Sequence, residues 1–184
     1  MFKSILVSLD GSRFAESALA AGLSLSRATG ADLHLATVHE PVPSFSYDEW
    51  ETAAWDWSEE YVQRVRDEAR PLAGGSIDAW VGSGRVLECL QMRAKDVDAD
   101  LVVMATHGRG AFTRAWLGST ADAFVRHAHQ PVLLIRPDDD APPTLDTELA
   151  FRRILVPLDG SPLSETELDL AVGMARLFDA ELVL

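Results

Sequence analysis

The sequence predicts an α/β fold: a doubly wound sheet of five parallel strands with helices on both faces, followed by part of a second copy. Three observations carry that expectation. Short, near-continuous apolar runs alternate with longer stretches of helical periodicity, the pattern of strands buried on both faces. Glycines and Asp-Gly-Ser clusters punctuate the junctions. Finally, Phe2 to Leu35 aligns without gaps on Phe151 to Leu184, with 14 identities in 34 positions at an offset of 149 residues. A solenoid repeat is far shorter, so this spacing means duplication of a whole domain.

The first strand is Ile5 to Leu9. Asp10-Gly11-Ser12 follows, where the serine is placed to cap a helix carrying Ala15, Ala18, Leu19, Gly22 and Leu25 on one face, and Gly30 supplies the stop. Leu33 to Val38 reads as the second strand, Ile77 to Val81 as the third, Leu101 to Ala105 as the fourth and Val132 to Ile135 as the fifth. The other helices fall near Asp48 to Arg70, Arg85 to Asp96 and Thr120 to His127. On the long second helix, Trp50, Ala54, Trp57, Tyr61 and Val65 recur at helical steps, which turns them to the sheet and leaves Trp55 exposed. Cys89, among Val86, Leu87, Leu90 and Ala94, reads as a small packed thiol. The implied organisation is a domain over 1–137, an Asp- and Pro-rich linker over 138–150 and the N-terminal fragment of a second domain over 151–184. That is the layout of a tandem protein with a truncated second copy.

Composition narrows the function. The net charge of −13 argues against a broad nucleic-acid surface, which needs clustered Lys and Arg. No apolar run approaches the roughly 18 residues of a membrane span, and Met1 to Leu9 is too short for a secretory signal, so a cytoplasmic protein is expected. A single cysteine excludes an internal disulfide and a thiolate metal site. The acidity is uneven: Glu40 to Glu60 holds seven acids and no Lys or Arg, whereas Ala105 to Thr120 holds Arg109, Arg114 and no acid. An anion can therefore still dock in that second stretch.

In an open parallel sheet, ligands bind beyond the carboxyl ends of the strands. Two loops qualify: Asp10-Gly11-Ser12 after the first strand, and Thr106-His107-Gly108-Arg109-Gly110 after the fourth, which leads to Gly118-Ser119-Thr120 at a helix start. A helix N-terminus offers unpaired N–H groups and a partial positive charge, glycine allows close approach of a phosphate, and the hydroxyls add donors. The plainer alternative is that Ser119 only caps its helix, with Asp122 three residues on, and that the glycines only serve turns. Asp10 has a similar alternative as a turn-stabilising carboxylate. Neither a Walker sequence nor G-x-G-x-x-G is present, and spacing alone leaves both readings open.

Taken together, ILVSLDGS, DLVVMATHGRG, LGSTADAFVRHAHQPVLLIRP and the tandem layout resemble the universal stress protein family. The resemblance covers nearly all of Phe2 to Pro137, and Phe151 to Leu184 besides. It implies a Rossmann-like sheet of order 3-2-1-4-5, of the adenine nucleotide α-hydrolase-like type. Nucleotide-binding members carry Gly-x2-Gly-x9-Gly-(Ser/Thr); here the pattern reads Ala105-x2-Gly108-x9-Gly118-Ser119, with alanine for the first glycine. By position, Asp10 and Val38 are then the expected adenine contacts, Met104 and Ala105 line the adenosine, and Gly108, Arg109, Gly118, Ser119 and Thr120 surround the ribose and phosphates. The implied ligand is ATP or a related adenine nucleotide, with Mg²⁺ or Mn²⁺ as its companion, in a stress sensor or regulator with at most slow hydrolysis. The resemblance also implies a homodimer through Val132 to Ile135. Two other readings remain: a dimerising interaction module without nucleotide, favoured by Ala105, and an adenylate-using transferase, disfavoured by the absence of catalytic motifs.

Overall fold

A computed structural model of the chain describes residues 1–41, 48–106, 118–137 and 144–184, and of 48–51 the backbone alone. The chain divides into two compact units, Phe2–Thr147 and Glu148–Leu184, the latter joined by Met1.

In the larger unit the chain runs β1 (Ser4–Leu9), α1 (Ala15–Thr29), β2 (Asp32–His39), α2 (Asp48–Ala69), β3 (Ile77–Ser83), α3 (Val86–Asp96), β4 (Leu101–Ala105), α4 (Ser119–His127) and β5 (Val132–Ile135). The five strands form one parallel sheet in the order β3-β2-β1-β4-β5, as expected. Ile5, Leu6 and Val7, flanked by β2 and β4, are fully buried. Because side chains alternate along a strand, the sheet splits its apolar residues between two layers. Leu6, Ala36, Val102 and Met104 pack with Leu90 and Ala94 of α3 and Ala121 and Phe124 of α4. On the opposite face α1 lies so close that a Cβ on Gly22 would stand 2.7 Å from Val7 Cγ2.

Helix α1 differs from the single-stripe expectation: Ala15 and every residue from Ser17 to Ser26 are buried. Its outer side is closed near the C-terminal end by the segment that leads into β3. Ser26 Oγ donates to the Ala31 carbonyl and accepts from the amides of Gly74 and Gly75, while Arg27 Nη1 donates to the Leu72 carbonyl. Gly30 ends the helix as predicted, at φ 75°, with its N–H on the Ser26 carbonyl.

Helix α2 corrects the aromatic stripe. Its buried residues are Ser58, Tyr61, Val62, Val65 and Ala69, whereas Trp57 is 45% exposed and Trp55 is half-buried. Ser58 enters the interface because its hydroxyl donates to the Ala54 carbonyl within the helix, which satisfies it without water. Trp57 instead lies flat on Tyr61, centroids 5.5 Å apart. The Trp50 side chain lies outside the described residues, as do residues 138–143 of the expected linker. Cys89 is buried as expected, and burial together with the Glu88 charge pushes its thiol up.

The smaller unit holds β6 (Arg153–Leu155), α5 (Pro162–Glu165), α6 (Leu168–Phe178) and β7 (Glu181–Val183), with β6 and β7 paired in parallel. β6 has three residues against six in β1, and the Val156 N–H still donates to the Val183 carbonyl at 2.8 Å beyond it. Where the aligned segment of the larger unit has the single helix α1, this unit has two: Ser161 Oγ accepts from Ser164 N to start α5, and the Thr166 hydroxyl donates to the Leu163 carbonyl at its end. Asp179 takes the place of Gly30 and the same left-handed conformation, φ 50°, with its N–H on the Ala175 carbonyl.

Candidate functional site

The sheet order fixes where a ligand can sit. From β1 the chain crosses to β2 on one side, from β4 to β5 on the other, so the crossover direction reverses between β1 and β4. These two strands are parallel neighbours, with Val7 opposite Val103, so Leu9 and Ala105 end them at the same level. The two loops singled out in the sequence therefore leave the sheet side by side.

On the β1 side, Asp10 is exposed and its Oδ1 accepts the Ser12 amide at 2.9 Å. Gly11 takes φ 76°, which closes the turn. Ser12 is buried, and its Oγ accepts from Ala15 N at 3.3 Å at the entry to α1. Asp10 thus shapes the turn through one oxygen.

On the β4 side, two backbone bonds fasten the ends of the loop. Thr106 N donates to the Ile135 carbonyl at 2.9 Å, and Gly118 N donates to the Thr106 carbonyl at 2.5 Å. Gly118 is the N-cap of α4 at φ −63°, ψ 151°, and its own carbonyl accepts from Asp122 N at 2.9 Å. The predicted side-chain cap is absent: Ser119 is the first helical residue, and no side chain caps α4. The Asp122 carboxylate does not reach back to the cap either. It holds Arg126 through two bonds of 3.0 Å, and that hydrogen bond keeps its carboxyl below the usual range. The acid in the first turn of α4 is thereby paired with a base one turn on.

This geometry changes which amides are on offer. The Gly118 N–H is spent on Thr106, so it cannot also bind a phosphate. Ser119, Thr120 and Ala121 carry the first-turn N–H groups that no intrahelical carbonyl takes. The Thr106 carbonyl as the partner of Gly118 N, and Ala121 as the third of these first-turn amides, were not singled out from the sequence, since neither position leaves a mark in residue type.

The remaining expected contacts divide. Met104 is 3% exposed and packed among the α3 and α4 residues, so its side chain belongs to the core; only its backbone faces the strand end. Val38 packs, partly buried, against the same cluster, and β2 continues one residue beyond it to His39, whose carbonyl accepts from Gly84 N at 3.0 Å. Ala105 is half-buried at the tip of β4. Gly108 and Arg109, with His107 and Arg114, lie outside the described residues. Among the described residues no group of three or more His, Cys, Asp or Glu converges as a metal site, and no helix is long and apolar enough to cross a membrane.

Residues 1–136 match the Universal stress protein family. A curated universal stress protein of Thermus aquaticus is 38% identical over 137 residues, 74% of this chain and 100% of its own. The chain belongs to the universal stress protein family. Its fold agrees: UspA from Lactobacillus plantarum superposes with a TM-score of 0.67 at 20% identity, over 73% of this chain and 97% of that one. A universal stress protein solved in complex with cAMP superposes with a TM-score of 0.59 at 22% identity, over 73% and 97% of the two chains. At such identities these two similarities concern the fold alone.

Proposed function

We propose that the larger unit binds an adenine nucleotide, ATP by preference, at the reversal point between β1 and β4, and that the protein serves as a stress-response sensor or regulator rather than an enzyme. The observation that carries the reading is the start of α4. Gly118 is anchored to Thr106, which holds the first-turn amides of Ser119, Thr120 and Ala121 at the end of β4, where an anion gains both hydrogen bonds and the favourable end of the helix dipole. The cAMP-bound relative shares this fold. Asp10, Val38 and the backbone of Met104 and Ala105 are assigned to the adenosine side, with Gly108, Arg109, Gly118, Ser119 and Thr120 around the phosphates. A companion Mg²⁺ or Mn²⁺ enters with the nucleotide. The residues described fit the anion without supplying a metal cage, and their role is to bind and orient.

A thermal shift with ATP and Mg²⁺ tests this. At a hundred times its dissociation constant the ligand stabilises the folded state by about 2.7 kcal/mol. Gly118→Val is compatible with φ −63° but places a branched side chain beside the phosphates, so it is expected to remove the shift and leave the unliganded transition near its original place. An undiminished shift in that variant would refute the assignment.

Ala105 favours a second reading, in which the protein binds no nucleotide and acts as an interaction module. Ala105→Gly discriminates the two: under the first reading it restores space beside the ribose and tightens binding, by up to about tenfold or ~1.4 kcal/mol. Under the second, neither form binds. Both readings include a homodimer through β5, an edge strand of four apolar residues. Sedimentation as a monomer at high micromolar concentration would refute the dimer.

A further inference from the structure

The central strand of the larger unit carries a polar residue in an otherwise apolar layer. Side chains alternate along β1, so Ser8 stands on the face of Leu6, the face that α3 and α4 cover. The register sets Ser8 opposite Ala36 of β2. On its other side it lies one residue beyond the Val7–Val103 pair, level with Met104 of β4. Leu6 and Ala36 are fully buried and Met104 is 3% exposed, yet Ser8, in their midst, is only half-buried. The layer that seals its neighbours therefore stops short of Ser8 and leaves a hollow down to the sheet. Two residues farther along the same face stand Asp10 on β1's side and the partly buried Val38 on β2. The hollow thus opens at the carboxyl ends of the strands, next to the reversal point between β1 and β4.

Nothing in the fold calls for a hydroxyl at this position. Ser8 Oγ has no hydrogen-bond partner among the described residues, and Pro157 holds the aligned place in the other segment. A hydroxyl set into an apolar layer costs free energy unless something hydrogen-bonds to it. Ligand sites, in contrast, use a few such groups among apolar walls to fix orientation.

We infer that Ser8 is a base-recognition residue, whose hydroxyl hydrogen-bonds the edge of the purine ring of the nucleotide from the floor of this hollow. A purine is apolar on its faces and polar along its edge. The hollow matches it, with Val38 and Ala36 on one side, Met104 on the other and one hydroxyl at the bottom. The inference rests on the nucleotide reading and adds to it the residue that orients the base.

The test is a calorimetric titration of the full chain and of Ser8→Ala, with Mg²⁺, using two probes: ATP, and inorganic triphosphate, which has no base. Ser8→Ala is expected to weaken ATP about tenfold, the worth of one hydrogen bond, and to leave inorganic triphosphate binding and the urea midpoint unchanged. Equal ATP affinity in the two proteins overturns the inference and leaves the nucleotide reading standing. An equal loss for both probes also overturns it, because the change then acts on the phosphate side or on the fold. A parent protein that binds neither probe overturns the nucleotide reading itself, and the role of Ser8 falls with it.

Discussion

The duplicated Ile-Leu-Val strand gives a controlled measure of what the helical layer contributes. Leu6→Ala and Leu155→Ala remove the same three carbon atoms from aligned positions of the two matching segments, one fully buried and one 71% exposed. Burial of three methyl or methylene groups is worth about 2.4 kcal/mol at ~0.8 each. The cavity left among Leu90, Val102 and Phe124 adds to this, for a total of about 3 to 5 kcal/mol at Leu6. At Leu155 the buried remainder of the side chain accounts for roughly 0.7 kcal/mol on the same scale. All five tryptophans lie between Trp50 and Trp116, so tryptophan fluorescence reports the unfolding of the larger unit alone. With a urea dependence of about 2 kcal/mol/M, Leu6→Ala lowers the fluorescence midpoint by roughly 1.5 to 2.5 M. Leu155→Ala leaves it in place. A loss below about 1 kcal/mol at Leu6, or a comparable movement of the tryptophan transition by Leu155→Ala, would contradict the layer assignment.

Two further perturbations test how the sheet is held at its β3 side. A Cβ on Gly74 would stand 2.1 Å from the Ser26 carbonyl oxygen and 2.8 Å from Arg27 Cα, both backbone atoms, so Gly74→Ala must push the β3 entry off α1. It is expected to cost about 3 kcal/mol or more in the same urea titration, against little effect for an exposed alanine substitution. At Asp78, partial burial pushes the carboxyl up, but the hydrogen bond and charge of His34 and the charge and hydrogen bonds of Arg93 outweigh it and hold the group below its usual value near 3.8. A carboxyl depressed in the folded state stabilises above the unfolded value and loses that contribution as pH falls through the folded one. Asp78→Asn is therefore expected to cost about 1 kcal/mol or less between pH 5 and 7, since the carboxylate is half-exposed, with the difference from the parent shrinking below pH 4. A difference that grows on acidification would be inconsistent with this sign.

The architecture was legible because its signals are local. Apolar runs of four to eight residues, the left-handed stop at Gly30 and the Asp-Gly-Ser turns each depend on a few neighbouring residues, and β1 to β5 and α1 to α4 appear where those signals stand. The errors arise where a long-range partner decides. The tryptophans of α2 suggested a buried stripe, yet an interface filled by Ser58, Tyr61 and Val62 needs small and branched side chains close to the sheet, and Trp57 finds its contact on Tyr61 instead. Burial of Ser26, which ties α1 to Gly74 and Gly75, depends on residues 48 and 49 positions away and has no periodic signature.

The candidate site shows the same division at a finer scale. The motif glycine at 118 correctly marks the start of a helix, but its chemistry is set by a carbonyl twelve residues earlier. Because Thr106 takes the Gly118 amide, the first-turn amides left without an intrahelical partner are those of the residues that follow, and Ser119 stands at the first helical position rather than capping with its hydroxyl; the proposed anion site therefore begins at Ser119. With φ at −63° the conformation of Gly118 is open to any residue, so under the proposed reading a glycine there matters for the space a side chain would take from the ligand beside the amides of Ser119 and Thr120. Gly118→Ala, which adds only a methyl group, should then weaken nucleotide binding less than Gly118→Val, and both should leave the Thr106 clamp intact.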